Sequence, residues 1–473
     1  MKFKSKKEVD LGNDPVKRLL FTLAAPAIIS QIVNALYNIV DRIYIGHIPG
    51  EGPMALTGIG VCFPIIMFVS AFAALMGMGG APRASIEMGR QRNDKAEQIL
   101  GNCFSALIIT AVVLTVVFQI FKEPILYAFG ASGNTIGYGI DYLNIYLCGT
   151  IFVQLTLGMN AFIGAQGFAM ISMLTVVIGA VTNIILDPIF IFGLDMGVRG
   201  AALATVISQA ISSIWAVRFL MGKRTILRIK RENLRIVKKV LFPCIALGFA
   251  PFIMQSTESL LMLAFNSSLL KYGGDSAVGA MTILASVMQF GMMPLQGLTQ
   301  GGQPIISYNY GAMKMDRVRQ GFRSMLVSCL VFSTLIWALS EFTPGLLVSI
   351  FTNDASLKGI TESALRVYAG GMLLMGAQIA CQQGFIAFGN AKTSAFLAMY
   401  RKIILLIPLI FILPCFFQDK VFAVFLAEPV ADIIAVCTTC LMFRIFFKKI
   451  VKEVNDKMAS ITSGNGKLQE QNM

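Results

Sequence analysis

Between Leu19 and Phe447 the chain is a succession of long apolar runs separated by short polar stretches. Twelve such runs stand out, at roughly 19–47, 54–80, 98–121, 138–163, 168–193, 198–221, 240–270, 276–303, 320–343, 362–388, 394–416 and 420–447. A helix needs about 20 apolar residues to cross a bilayer, and each run is long enough. The runs are continuous, without the apolar–polar alternation of barrel strands, so a β-barrel is excluded. The first run is too long for a signal peptide, and no small-residue cleavage site follows it. The pattern predicts an all-α integral membrane protein with twelve transmembrane helices.

Composition agrees. Apolar residues make up 56% of the 473 positions and charged residues 14%. A soluble domain has roughly 45–50% and about 25%. The net charge of +14 would suggest a nucleic-acid surface only if it formed a soluble face. Here it sits between apolar runs. The N-terminus (Lys2, Lys4, Lys6, Lys7, Lys17, Arg18) is basic, as is the second loop (Arg83, Arg90, Arg92, Lys95). So are the sixth (Lys223, Arg224, Arg228, Lys230, Arg231, Arg235, Lys238, Lys239), the eighth (Lys314, Arg317, Arg319, Arg323) and the tail. All fall on one side, so the positive-inside rule puts both termini in the cytoplasm.

The chain also repeats itself. Gly79-Gly80-Ala81-Pro82 is followed by Gly89 and Asp94. Gly301-Gly302-Gln303-Pro304 is followed by Gly311 and Asp316 at the same steps, an offset of 222 (301 − 79). Ala25-Pro26 matches Ala250-Pro251 at nearly the same offset. Six spans per half is an even number, so the halves share one orientation and form parallel repeats. Transporters built this way hold substrate between the halves. The expected organisation is an N-terminal lobe over 1–221, a basic cytoplasmic linker over 222–239, a C-terminal lobe over 240–447 and a cytoplasmic tail over 448–473.

Acids inside the spans are the candidate chemistry, because a charge at mid-bilayer costs several kcal/mol, from ~3 to above 10. They are Asp41, Asp187, Glu258, Glu428 and Asp432. Asp41 shares a helix face with Asn38, Tyr37 and Asn34, and Asp187 shares one with Asn183. Pro188 frees a carbonyl near Ile184. Span 6 adds Thr205, with Ala201 one turn before it. Two carboxylates, an amide oxygen, a hydroxyl and a carbonyl form an all-oxygen set suited to Na⁺. Without a metal, like-charge repulsion would let the pair carry a proton. The second half places Asn266, Ile407-Pro408 and Ala427 where the first has Asp41, Asp187-Pro188 and Thr205, so the cation site is expected in the first half alone. Met is adaptable enough for promiscuous binding. Met288, Met292 and Met293, near Gln289, are therefore expected at a cavity.

These residues resemble the multidrug and toxic compound extrusion (MATE) family, in its DinF-like, MepA-type branch. The resemblance covers nearly the whole chain. It rests on Asn38–Gly46, Gly79–Gly89 with its repeat at Gly301–Gly311, Thr182–Gly193 (the most specific) and Val198–Thr205. It implies a V-shaped, two-lobed antiporter in the cell membrane that exports cationic or amphipathic compounds, antibiotics among them, by alternating access driven by inward Na⁺ or H⁺. The family's ion site maps onto Asp41, Asn183, Asp187, Ala201 and Thr205, and its cavity asparagine on span 4 onto Asn160. Some relatives lack the acid on span 1, which is present here. Others carry acids on spans 7 and 10; Glu258 answers the first, and span 10 has no interior acid. Asp432 falls where relatives have an acid on span 12, and Arg42 beside Asp41 is uncommon.

A flippase for lipid-linked precursors is the alternative within the superfamily. It would call for extra helices or a strongly basic cavity, whereas interior bases are few and Arg366 and Arg401 fall near span ends. No cofactor beyond the coupling ion is expected, no nucleic-acid partner, and a monomer suffices. An enzyme is not expected. The chain has a single histidine, His47, no HExxH and no Walker motif. Its nine cysteines are scattered, the one CxxC pair (Cys437, Cys440) lying in an apolar span.

Overall fold

A computed structural model describes residues 9–352 and 354–470, with side chains described to Lys457 and that of Ser356 excepted. Lys2, Lys4, Lys6 and Lys7 lie outside the described residues. Span 1 is α1 (Val16–Gly46). Span 2 is α2 (Gly52–Gly60) followed by α3 (Phe63–Gly89), and span 3 is α4 (Asn93–Ala128). Span 4 comprises α5 (Ile136–Cys148) and α6 (Thr150–Ala165). Span 5 is α7 (Ala169–Pro188) with a π-helical turn at Ile189–Gly193, and span 6 is α8 (Gly197–Met221). Spans 7 and 8 are made from α9 (Lys238–Ser256) and α10 (Glu258–Gly311). Span 9 is α11 (Met315–Phe342), followed by the short α12 (Pro344–Ser349). Span 10 is α13 (Ala355–Tyr368) with α14 (Met372–Ala387). Span 11 is α15 (Ala391–Met399), a π-helical segment Tyr400–Leu406 and α16 (Ile407–Ile412). Span 12 is α17 (Lys420–Glu470), which runs on past the predicted end at 447.

Ten helical stretches among the described residues are long and apolar enough to cross a membrane, and the bent pair α5–α6 adds an eleventh. One of the ten, Lys238–Gly311, is 74 residues long. At 1.5 Å per residue that is about 110 Å, several times the ~30 Å hydrocarbon core. It breaks at Gly274, whose φ of 65° and ψ of −161° suit glycine alone. The stretch is therefore two spans, and the total is the predicted twelve.

The repeat is visible in matched hydrogen bonds. Ser85 Oγ donates to the Ala165 carbonyl at 3.4 Å, and 222 residues on (307 − 85) Ser307 Oγ donates to Ala387 at 2.9 Å. Asn160 Nδ2 donates to the Ser172 carbonyl at 3.2 Å. Its counterpart Gln382 Nε2 donates to Ser394 at 2.9 Å. Helix packing matches too: α1 lies against α7 and α10, and α9 against α15 and α3.

The repeated glycines explain how the lobes meet. A Cβ on Gly79 would strike the Cys244 carbonyl and Gly248 of α9; one on Gly301 would strike Leu23 and Ala24 of α1. On α3 and α10, Gly89 faces the Tyr308 carbonyl and Gly311 faces that of Ile86, a reciprocal pair under the repeat. Helices in lipid associate through such close backbone approach at small residues. These contacts gather at the end that carries the basic loops. In α1, Val16, Leu19, Leu20, Leu23, Ala24 and Pro26 are buried, while from Ala27 to Tyr44 no residue is. The lobes are closed against each other at the basic end and apart at the other.

Several spans that the sequence presents as continuous are interrupted. Span 4 bends by 57° at Gly149, where the Val206 side chain of α8 occupies the place of a Cβ. Span 10 tightens into a 3₁₀ turn at Ala369–Gly371. Spans 5 and 11 contain Pro188 and Pro408, which have no N–H to donate, and each carries a π-helical segment.

Candidate functional site

Asn183 and Asp187 lie one turn apart on the buried face of α7, 1% and 0% exposed. Asn183 Nδ2 donates to Asp187 Oδ1 at 3.1 Å and points at Thr205 Oγ1 of α8 at 3.5 Å. Ala201, one turn before Thr205, is fully buried. Asp41 of α1 brings its carboxyl within hydrogen-bonding reach of Asp187. From α5, Tyr142 lies beside Thr205, and Tyr146 stacks on Tyr142 with centroids 5.8 Å apart. Three acceptors in this pocket, Asp41 Oδ1, Asp187 Oδ2 and Asn183 Oδ1, are buried without a hydrogen-bond donor. Among the described residues no basic side chain lies within 4.0 Å of either carboxylate. Arg42 is turned away, its guanidinium 5.5 Å from the centre of the Phe63 ring.

Unpaired buried acceptors and two adjacent carboxylates need positive charge. Burying them costs free energy unless a proton or cation answers them. The donor set is oxygen throughout, which suits a hard cation.

The other predicted residues divide into two groups. Tyr37 is half-buried beside Asp41. Asn34 and Asn38 are exposed on the same helix, and Asn38 Nδ2 donates to the Asn34 carbonyl at 2.7 Å. Asn160 is not brought to the acid pair: it holds Ser172, eleven residues or about 16 Å along α7 from Asn183. Met288 and Met292 are half-buried; Met288 packs on an apolar cluster of the second lobe and Met292 on one that α1 shares with the second lobe. Glu258, at the start of α10 and with a 60% exposed side chain, receives Lys402 Nζ at 2.5 Å.

Lys402 belongs to a network that span boundaries had concealed. Arg401 does not lie near a span end. The π-helical segment puts it close to the middle of span 11, with its side chain 14% exposed. Arg401 Nε donates to Asp432 Oδ1 at 2.7 Å and its Nη2 to Glu428 Oε1 at 3.1 Å. Lys402 Nζ also donates to the Met254 carbonyl at 2.7 Å. Every buried acid of the second lobe thus has a base, whereas Asp41 and Asp187 of the first lobe have none within 4.0 Å among the described residues.

The MatE family model matches residues 26–189 and 251–412, one segment in each half, and together more than half of the chain. The chain belongs to the MatE family. Multidrug export protein MepA of Staphylococcus saprophyticus is 26% identical over 421 residues, which cover 89% of this chain and 92% of that one. MepA of Staphylococcus aureus is 25% identical over 431 residues, covering 90% and 94%. Among solved structures, an outward-facing multidrug resistance MATE family transporter of the MOP superfamily superposes with a TM-score of 0.88 at 23% identity, covering 94% of this chain and 99% of that one. A MATE in the bent conformation gives 0.89 at 23%, covering 96% and 100%. The two-lobed fold is common to all of these MATE structures and to this chain.

Two features of this MatE protein escaped the sequence. Tyr142 and Tyr146 carry the signal of tyrosines one turn apart in an apolar run, where a buried hydroxyl needs a partner. Lys402 was legible as a base inside span 11, adjacent to Arg401.

Proposed function

We propose that this chain is an antiporter that uses the inward flow of Na⁺ or H⁺ to export organic cations, drugs or other amphipathic compounds. The observation that carries the reading is the Asp41–Asp187 pair, the half-buried Asp41 set against buried Asp187, Asn183, Thr205 and Tyr142, with three acceptor oxygens unanswered. Asp41, Asp187, Asn183 and Thr205 would hold the ion, with the Ala201 turn beside them. The ion's positive charge offsets the repulsion between the carboxylates. That neutralisation draws α1, which carries Asp41, toward α7.

α1 also packs against α10 of the other lobe. A shift of α1 therefore changes the lobe contact at Gly297 and Gly301. Pro26 sits where α1 leaves that contact, and Pro188 sits beside Asp187, so both are bend points. Ion and substrate then favour different arrangements of one two-state bundle, which is alternating access.

The energetics are sufficient. One monovalent charge crossing 100 mV releases about 2.3 kcal/mol. A hundredfold gradient of an uncharged substrate costs about 2.7 kcal/mol, so a modest ion gradient added to the potential covers one such substrate per ion; a monovalent cation exchanged one for one cancels the charge, and the ion's concentration gradient alone then drives its export.

The repeats define the functional units, 1–221 and 240–447 joined by 222–239, with both termini in the cytoplasm and the chain acting as a monomer. The cleft between the lobes, lined from α1 by Asn34, Tyr37 and Asn38 and at α10 by Glu258, is the proposed path. The MepA relatives, named for multidrug export, support the substrate class. A lipid-precursor flippase is less well supported, because both interior bases of span 11 are already paired with acids.

The test is efflux of a fluorescent cationic dye from cells expressing the protein. Asp187→Asn is expected to abolish efflux at unchanged expression; full efflux would refute the site. Proteoliposomes given Na⁺ and pH gradients separately identify the ion.

A further inference from the structure

The two lobes answer one structural problem in different ways. Under the 222-residue repeat, Gly149, where span 4 breaks, corresponds to Gly371 (371 − 149), where span 10 breaks. Gly149 faces span 6 through Val206, and Gly371 faces span 12 through the Asp432 carboxylate. Spans 5 and 11 both carry a π-helical segment beside a proline. The first lobe gathers Asp41 and Asp187 in this pocket with no basic side chain within 4.0 Å among the described residues. The corresponding region of the second gathers Glu258, Glu428 and Asp432 from spans 7 and 12 around Arg401 and Lys402 of span 11, with Tyr368 of span 10 at its side.

We propose that Arg401 and Lys402 are tethered cations. They supply the second lobe permanently with the positive charge that the first lobe takes from a mobile ion, and so confine ion coupling to the first lobe. The proposal rests on the coupling-site reading above. Its chemistry is specific. Arg401 bonds two carboxylates through different nitrogens, and Lys402 adds a backbone carbonyl to its carboxylate. A guanidinium cannot deprotonate in a protein, so Asp432 and Glu428 each keep a positively charged hydrogen-bond partner whatever the ion gradient. The same spans would otherwise hold a second carboxylate pocket, and transport would require two ions per cycle. Arg401 and Lys402 are positioning residues for coupling: they touch neither the mobile ion nor substrate.

The experiment follows the thermal unfolding midpoint of the full-length purified protein in detergent, at graded Na⁺ and from pH 8 to pH 6. Arg401→Met leaves Glu428 and Asp432 facing each other. Its Tm is expected to rise with Na⁺ or with falling pH, beyond the response of the unaltered protein, since a ligand that binds only the folded state stabilises it by mass action. Arg401→Lys keeps the tethered charge and is expected to show no added response. Arg401→Met/Glu428→Gln/Asp432→Asn, which has no charge left to neutralise, is expected to show none either. If Arg401→Met does not fold, Arg401→Met/Glu428→Gln retains one unpaired acid and carries the same readout. An Arg401→Met protein whose Tm follows the unaltered protein at every condition would overturn the proposal. An added response that persists in the triple variant would do the same. The measurement is repeated with Asp187→Asn present, where the added response is expected to survive. Failure of the first-lobe site and failure of this proposal are thereby read separately.

Discussion

At the scale of the residue, the first lobe's pocket is defined by what lacks a partner. Asn183 satisfies one Asp187 oxygen at 3.1 Å and leaves the other bare. Thr205 Oγ1 lies 3.5 Å from Asn183 Nδ2, with Tyr142 beside it. A single hydrogen bond is worth about 1 kcal/mol net, or roughly a fivefold change in an equilibrium. Tyr142→Phe removes the hydroxyl beside Thr205, and with it at most one such bond, and keeps the ring stacked on Tyr146. The ion concentration giving half-maximal efflux should shift by about threefold to tenfold with little loss of maximal rate. Dye efflux at graded Na⁺ or pH reads this directly. Asp41 and Asp187 were legible in the sequence because an acid in an apolar run is too costly to be idle. Tyr142 was not, because a tyrosine in such a run costs little and acquires meaning only from its neighbour.

At the scale of the element, glycine decides where helices touch. Gly89 and Gly311 each bring a neighbouring carbonyl where a side chain would start. Gly89→Val and Gly311→Val should each destabilise the protein by about 1–3 kcal/mol through overpacking. Thermal unfolding in detergent measures this. Gly137→Ala on α5 serves as the control, because nothing lies within 4 Å of the site of its Cβ. The repeated glycine motif was visible in the sequence as a repeat. Its partner helices were not, since a sequence does not say which backbone comes close. The interruptions at Gly149 and Ala369–Gly371 were hidden for the same reason. Hydropathy averages over a turn, and a break inside an apolar run leaves the average unchanged.

At the scale of the whole molecule, each lobe's leading segment is fastened across the basic end. Asn309 and Arg317, on or beside α10 and α11, bond the Leu11 carbonyl at 2.9 and 3.2 Å, and Arg317 also holds Asp14 at 2.6 Å. The stretch before α9 is fastened to α4: Val237 N donates to Asn102 Oδ1 at 2.6 Å, Ser105 Oγ to the Leu234 carbonyl at 2.7 Å, and Lys230 pairs with Glu97 at 2.5 Å. The N-terminal segment thus ties itself to the second lobe and the linker to the first. Arg317→Ala should loosen this closure. Hydrogen exchange over residues 9–15 and 306–312 is expected to rise, and efflux to fall, with the Asp41 pocket unaffected. Unchanged exchange would mean that Asn309 and Lys314 hold the segment unaided.

The sequence by itself determined the twelve spans, the parallel repeat and the acid pair. The spans and the acid pair follow from the cost of placing a polar group in hydrocarbon, which is read one residue at a time, and the repeat follows from motifs matched at one offset. The tertiary structure alone decided which acids are left without a base. Arg401 and Lys402 sit thirty residues or so from Glu428 and Asp432 in sequence, and Lys402 far from Glu258; only helix packing brings them together. Charge compensation depends on distance in space, and in a low-dielectric interior an opposite charge a few ångströms away interacts far more strongly than it would in water. That is why one set of interior acids is ion-paired and the other is left without a base.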